Sequence, residues 1–505
     1  MKASSSLRHE IYLALGGASE REILRLVSIH SDPRPKVHSY RSIEAFYDDA
    51  HYTLARAGLL LSHTGFSGPS SQQRLTVCGP DRMAGPGGAL TVHECALLAA
   101  CSDQGVADQA RKLLLATTGI APLGLSRIFE RHRQVTEVDL VMGGTRLRLS
   151  MSSGRLLAGT RRLDLKEATL AWIKGDRRHL FDLAREIVLS QPARVTRQGS
   201  TSVGLALAGF PPDEFGSQAV PGTEFTHAGR AEQALGLLGE RSMAELIPVL
   251  GATLVGRDPE DIHQTRVRLR RVRLILQWLA RIDRIAQKSS PSESAALDAA
   301  LRVQYRALGP ARDWTIFAEN LVERNTEEPG GRLQLGAQQR EQEEGHRARA
   351  RLAAPALQSL VIQSALQFDL ARQGTAAFST ADLEALILLQ LHRSDRRLRR
   401  ELKGLAHRNA EAQHRARRLA RRMRDEAQLV ALLGGHGVPE GYASQLARLQ
   451  TRLGELHDWA SGQVLVSQLG PLAEANLARW LKDGYAKSLR QARRVARKFG
   501  RVRPT

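Results

Sequence analysis

Cysteine is scarce: Cys78, Cys95 and Cys101 are the only three in 505 residues, and no two of them form a C-x-x-C pair. That excludes a disulfide framework and makes a reducing cytoplasm the simplest setting. Aromatic residues are only 5% of the chain, which argues against a platform that stacks single-stranded bases on exposed rings. No apolar run approaches the roughly 18–20 residues needed to span a bilayer, and the opening MKASSSLRHE has no apolar segment of signal-peptide type. A soluble protein, not exported by the usual route, is expected. What remains, 42% hydrophobic and 25% charged residues, is the composition of an ordinary globular chain and excludes wholesale disorder, collagen and coiled-coil rods. The length suggests two to four domains.

Positive charge is abundant. Lys plus Arg number 73 against 52 Asp plus Glu, a net +21, so the expected partner is an anion: nucleic acid, a phosphate polymer, an acidic protein or an anionic membrane surface. Residues 1–220 carry 27 basic and 21 acidic groups, net +6, and the remainder carries 46 and 31, net +15. The local patterns change at the same place. Short alternating runs such as Leu147 to Met151 and Ala168 to Ile173 predict strands in the first part. Beyond about residue 230, Ala, Leu, Arg, Gln and Glu at three- and four-residue spacing predict helices. The Gly, Ser, Pro and Thr of 196–226 predict a linker, and NTEEPGG at 325–331 predicts a second break.

The basic half repeats itself. His263, Arg266, Arg270, Arg271 and Arg273 recur at identical offsets as His414, Arg417, Arg421, Arg422 and Arg424. Downstream, Leu308-Gly309-x-x-Arg312-Asp313-Trp314 recurs as Leu453-Gly454-x-x-His457-Asp458-Trp459. On a helix, His263, Arg266, Arg270 and Arg273 fall within an arc of roughly 80°, with Arg271 about 80° beyond it. Thr265, Leu269, Val272, Leu276 and Leu279 take the opposite side, as do Ala416, Ala420, Met423, Ala427 and Val430 in the second copy. Arginines at successive turns repel one another by a few tenths of a kcal/mol per pair, roughly, unless counter-charge is present. Phosphate matches best, because the guanidinium fork makes two parallel bonds to its oxygens and stays charged. The alternative for such helices is a solvated surface, and for His263 and His414 it is a capping or packing role. Asp313 and Asp458 are expected to orient an arginine or cap a helix rather than bind metal, since no carboxylate pair at ligand spacing accompanies them. The basic runs Arg393 to Lys403 and Lys482 to Arg503 add positive potential.

On HQTRVRLRRVR at 263–273 and LGPARDW at 308–314, residues 231–505 resemble a CHAD domain, with repeats at about 231–345 and 375–505. The resemblance implies two pseudo-symmetric helical bundles whose basic helices face a shared pocket, binding of inorganic polyphosphate, and association with polyphosphate granules in the cytoplasm. The implied polyphosphate ligands are His263, Arg266, Arg270, Arg271, Arg273, Arg312, His414, Arg417, Arg421, Arg422 and Arg424. Asp425 departs from the family, whose members tend to have Tyr there. Neutralising about six charges would give a log–log salt slope near −4, by analogy with single strands.

Residues 1–195 resemble a CYTH domain, the triphosphate-tunnel fold, through His9 to Leu15, Phe46-Tyr47-Asp48-Asp49 with Leu54 to Leu61, Gly154-x-x-x-Ala158-Gly159, Lys174-Gly175-Asp176 and Leu180 to Ala184. An antiparallel β-barrel is implied, separated by a linker at 196–230 from the all-α domain, for an α+β whole. The family's ExExK strand corresponds to Glu10, Tyr12 and Ala14. Its Arg-x-Arg strand corresponds to Ser62, His63 and Thr64, its Lys after a Thr-x pair to Cys78, and its late acidic strand to Glu167, Thr169 and Ala171. With so few acids left, a degenerate barrel is expected: no catalytic residues, no metal, no cofactor and no enzymatic activity. The competing expectations are a metal-dependent triphosphatase or polyphosphatase of the CYTH class, and a nucleic-acid-binding module.

Overall fold

A computed structural model describes residues 4–67, 73–80, 89–97, 103–120, 122, 124–196, 199–211, 229–256, 258–286, 292–323, 331–374, 378–405, 410–435 and 437–504. Cys101, the expected linker from 212 to 226, and the break at 325–330 lie outside these residues. Strands dominate the first part: β1 (Ser4–Leu15), β2 (Val37–Asp48), β3 (Leu60–Ser67), β4 (Gln73–Pro80), β5 (Ala89–Leu97), β6 (Ser126–Met142), β7 (Thr145–Ala158), β8 (Arg161–Lys174) and β9 (Ala193–Thr196), with α1 (Glu20–His30), α2 (Thr53–Arg56), α3 (Asp103–Thr118), α4 (Arg178–Ser190) and α5 (Ser200–Leu207) between or after them. Helices follow: α6 (Ala231–Val255), α7 (Pro259–Ile285), α8 (Glu293–Ala307), α9 (Gly309–Glu323), α10 (Gly331–Ala353), α11 (Pro355–Arg372), α12 (Thr380–Gly404), α13 (Ala410–Leu432), α14 (Glu440–Ser467) and α15 (Pro471–Phe499). The expected α+β order, an antiparallel sheet and then a helical region, is what is found.

The strands form one antiparallel sheet in the order β5-β4-β3-β2-β6-β7-β8-β1-β9, and an additional pairing links β1 to β5 at the far end of that order. Alternation sets the faces. On β7, Thr145, Leu147, Leu149 and Met151 are buried while Arg146 and Arg148 between them are exposed, the period of two that a half-buried strand requires. The Phe46-Tyr47-Asp48-Asp49 run ends β2 in a carboxylate-bound turn. Asp48 accepts the backbone N–H groups of Asp49, Leu54 and Ala55, and Asp49 accepts those of His51 and Thr53. Both acids serve the backbone.

The first stretch expected as linker is instead α5, packed on the sheet. Ser200 donates from its hydroxyl to Glu167 at 2.8 Å and its amide bonds the same carboxylate at 2.6 Å. Leu205 and Phe210 join a core with Phe46, Phe129 and Leu156. Gly204 abuts the Phe129 ring so closely that a Cβ there would sit 2.3 Å from it. Gly and Ser, read as flexibility, are close-packing and hydrogen-bonding residues here.

Contact density divides the chain into two units, and the division departs from the expected boundary: residues 239–251 and 353–369 belong with the sheet. The cause is polar as well as apolar. Arg177 pairs with Asp369 at 2.9 Å, and the Val195 amide donates to Gln358 at 3.0 Å.

In the helical unit α7 begins as its sequence dictates, with Asp258 capping the Glu260 amide, Pro259 in the first turn and acids following. Its expected core face, Thr265, Leu269, Val272, Leu276 and Leu279, is buried, as is the matching face of α13 from Ala416 to Val430. The two motif tryptophans share one apolar cluster: Trp314 lies in it with Phe317, Leu477 and Leu481, and Trp459 packs against it. A second cluster gathers Ala416, Ala420 and Met423 with Tyr442, Leu446 and Phe499. The basic runs are partly structural. Arg399 pairs with Asp395 at 2.6 Å, donates to the carbonyls of Gly500 and Val502, and covers the Phe499 ring.

Candidate anion-binding site

Burying one face of α7 and one of α13 leaves their arginines on the remaining arc. The side chains from the two copies meet at Tyr305, on α8. The Arg266 guanidinium lies over the ring, 5.1 Å from its centroid, and Arg273 lies at 5.6 Å. Arg421 of the second copy donates to the phenolic oxygen at 3.4 Å. Burial opposes ionisation of Tyr305, yet Arg266, Arg421 and Arg270 outweigh it and bring the hydroxyl down to about 8. Tyr305 was not expected, although aligning the second motifs places it opposite Gln450, three residues before the Leu-Gly pair in each copy. Gln450 accepts from Arg424, as Tyr305 receives Arg273.

Two carboxyl groups lie among these cations. Burial raises Asp313 against the pull of Arg266, Arg417, Arg312 and Arg421. Asp458 is pushed up to about 6, by burial first and then by Asp313, with Arg417 opposing. Arg417 is itself drawn down to about 10 by burial and by Arg421, against Asp458 and Asp313. The expected arginine-orienting role thus takes the form of a shared field: one arginine faces the aspartates of both motifs. The Nε atoms of Arg417 and Arg421 are buried without a hydrogen-bond partner, a desolvation cost of about 1–3 kcal/mol each.

The imidazoles are held uncharged at neutral pH. Burial lowers His263, helped by Arg312, and lowers His414, helped by Arg418 and Arg417. His457, whose ring centroid is 5.7 Å from that of His414, falls to about 4 through burial, Arg417 and His414. At pH 7 these rings can donate or accept one bond but add no positive charge.

Several of the expected ligands are engaged by the protein itself. Asp425, the family departure, bonds Arg270 at 2.9 Å, Asp298 bonds Arg273 at 2.8 Å, and Glu426 bonds Arg422 at 2.9 Å. Glu260 approaches Arg312 at 3.5 Å. Arg271 is half-buried on α7. The convergent set is Arg266, which also donates to the carbonyls of Leu308 and Gly309, with Arg417 and Arg421, and with Arg270 present under restraint. Arg273 and Arg422 also line a cavity of about 500 Å³.

The CHAD domain family model matches residues 250–467. The chain contains a CHAD domain. The crystal structure of the CHAD domain from the plant Ricinus communis is 22% identical over 55% of this chain and 94% of its own, with a TM-score of 0.44. A Hippeastrum putative adenylyl cyclase, described as having a dominant triphosphatase activity, is 13% identical over 40% of this chain and 97% of its own, TM-score 0.27. A putative adenylate cyclase from Bacillus halodurans is 15% identical over 37% and 90%, TM-score 0.23. No curated protein matches. Both copies of the arginine motif and both tryptophan motifs fall inside the CHAD span.

The sheet unit holds a second charge cluster that sequence reasoning missed. Arg131 and Arg133 alternate on β6, and Glu44 on β2 sits in register with Arg131. Arg131 bonds Glu44 and Ser200 and lies 3.4 Å from Glu167; Arg133 bonds Glu44 at 3.2 Å. Burial disfavours the Glu44 charge, but Arg131 and Arg133 hold its carboxyl down at about 2. Arg-x-Arg on a strand was the available signal; the partners come from other strands. Tyr12 donates to Glu10 on β1. Among the described residues no group of three or more His, Cys, Asp or Glu is placed to hold a metal ion, and no helix is long and apolar enough to cross a membrane.

Proposed function

We propose that the CHAD domain binds inorganic polyphosphate, along arginines contributed by both copies of the repeated helix in a pseudo-symmetric pair of bundles. The observation that supports it is the meeting of Arg266 and Arg421 at Tyr305. Cations brought together with partner-less buried N–H groups gain most from an anion that satisfies many at once, and polyphosphate has about one charge per unit and no base to read. Residence in cytoplasmic polyphosphate granules is the corresponding cellular expectation. Titrating long-chain polyphosphate into the protein at two salt concentrations tests the reading: binding that weakens steeply with salt and is lost when Arg266, Arg417 and Arg421 become Gln is expected, and unchanged binding by that variant overturns it. DNA at matched salt, competing poorly, separates polyphosphate from general nucleic-acid binding.

For the sheet unit, the reading is a non-enzymatic, degenerate triphosphate tunnel, because the arginines that would grip a triphosphate are already bonded to Glu44 and Glu167. The rival reading is a metal-dependent triphosphatase that uses Glu44 and Glu167 beside the same arginines. Incubation with tripolyphosphate and Mg²⁺ or Mn²⁺ decides: phosphate release abolished by Glu44→Gln or Glu167→Gln establishes the enzyme.

A further inference from the structure

The two basic runs outside the repeated motif take no part in the site at Tyr305, and they come together on the outside of the helical unit. From Gly484 to Arg503 the chain carries eight Lys or Arg and no Asp or Glu. Arg493 is engaged by the carbonyl of Leu405, just past the end of α12, at 2.8 Å; the other seven are exposed. Of these, Lys487, Arg490, Arg494, Arg497 and Lys498 fall within an arc of roughly 100° on α15 and span about 17 Å of its axis. On α12, Arg393, Arg396, Arg397, Arg400 and Lys403 are likewise exposed along one side. The nearby carboxylates are taken, Asp395 by Arg399 and Glu401 by Arg415. Among the described residues no ion pair reaches either row. The rows are joined: Arg399 donates to the carbonyls of Gly500 and Val502, and Arg396 and Lys403, three residues before it and four after, lie on its side of α12.

So much unpaired charge gains from a polyanion, and three features select which. No aromatic ring is free on the α15 row, since Phe499 is buried and Tyr485 packs on the core and bonds Gln413; single-stranded bases would have nothing to stack on. No large apolar side chain is exposed from 484 to 503, so nothing there would enter a bilayer. The row is also straight and rigid. A flexible chain loses conformational freedom by lying along it, whereas a duplex, with a persistence length of about 50 nm, is straight already and sets about five phosphates of one strand along such a row.

We propose that the joined faces of α12 and α15 form an outward surface that holds the phosphate backbone of duplex nucleic acid without reading its sequence. It shares no residue with the half-buried arginines at Tyr305, so the duplex and polyphosphate are held at separate places.

Fluorescence anisotropy of a labelled DNA duplex of about 30 base pairs, at several salt concentrations, tests the surface in the full chain. The variant Arg490→Gln, Arg494→Gln, Arg497→Gln is compared with Arg266→Gln, Arg417→Gln, Arg421→Gln, an equal change of charge. The outer variant is expected to lose tenfold or more in duplex affinity, with a log–log salt slope flatter by roughly 2 to 3, at about 0.9 per lost phosphate contact. The inner variant is expected to lose less than threefold. The outer positions are exposed, so the helical circular-dichroism signal should stand in both. Equal losses in the two variants, or none in the outer one, overturn the surface. So does binding of phosphatidylserine vesicles through the same three arginines by a protein that leaves the duplex free. Polyphosphate affinity that falls in the inner variant and not in the outer supports the separation, and equal falls refute it.

Discussion

The sheet and the helical unit each bury a set of arginines, and they resolve the problem in opposite ways. On β6, Arg131 and Arg133 face Glu44 and Glu167, and the carboxylate answers by falling to about 2. On α7 and α13, arginines of two copies face one another and a tyrosine: burial and Arg421 bring Arg417 down to about 10, while burial and Asp313, against the pull of Arg417, bring Asp458 up to about 6. Close opposite charges reinforce ionisation; crowded like charges in a desolvated place erode it. The first arrangement carries its own counter-charge, although the Nε of Arg131 is also buried without a hydrogen-bond partner, whereas the second gains from a further anion.

That contrast is open to test, most strongly in the sheet. Arg131→Ala leaves Glu44 and Glu167 buried without their principal cation and is expected to cost about 3–5 kcal/mol, read as a lowered urea midpoint. Replacing Arg266, Arg417 and Arg421 by Gln removes like-charge crowding instead: polyphosphate affinity falls about 100-fold, roughly 2.7 kcal/mol, while the thermal midpoint holds or rises. Asp425→Asn releases Arg270 from its ion pair, and polyphosphate is expected to bind about tenfold more tightly by calorimetry. The smallest effect is in pH. Above about 6 Asp458 is ionised beside Arg417 and competes with an anion; below it the group is neutral. Affinity is therefore expected to rise severalfold from pH 7 to pH 5, and Asp458→Asn to flatten that rise. His457, at about 4, stays uncharged across the same range.

Much of this was legible in the chain. Periodicity marked the buried faces of α7 and α13 residue by residue, because a helix forces positions three and four apart onto one side. The repeat marked Arg266, Arg417 and Arg421, and alternation marked β7 and β8. Pairing across elements was not legible. Nothing local to Arg270 names Asp425, 155 positions away, and nothing in the Arg131 neighbourhood names Glu44. Tyr305 escaped for a related reason: a ring in a helix reads as core until the cations around it are placed. The Gly-Ser stretch before Phe210 misled because it packs closely, a use of small residues that composition does not separate from flexibility.

Gly204 has a reach beyond its size. Phe129, against which it rests, is buried and stacked on Phe46 with centroids 4.2 Å apart, so the ring has nowhere to retreat. One methyl group at position 204 would act as a wedge, prising α5 from the sheet, pulling Ser200 off Glu167 and admitting water to the arginines behind it. The seal over the strand charges is thus kept by a missing carbon atom.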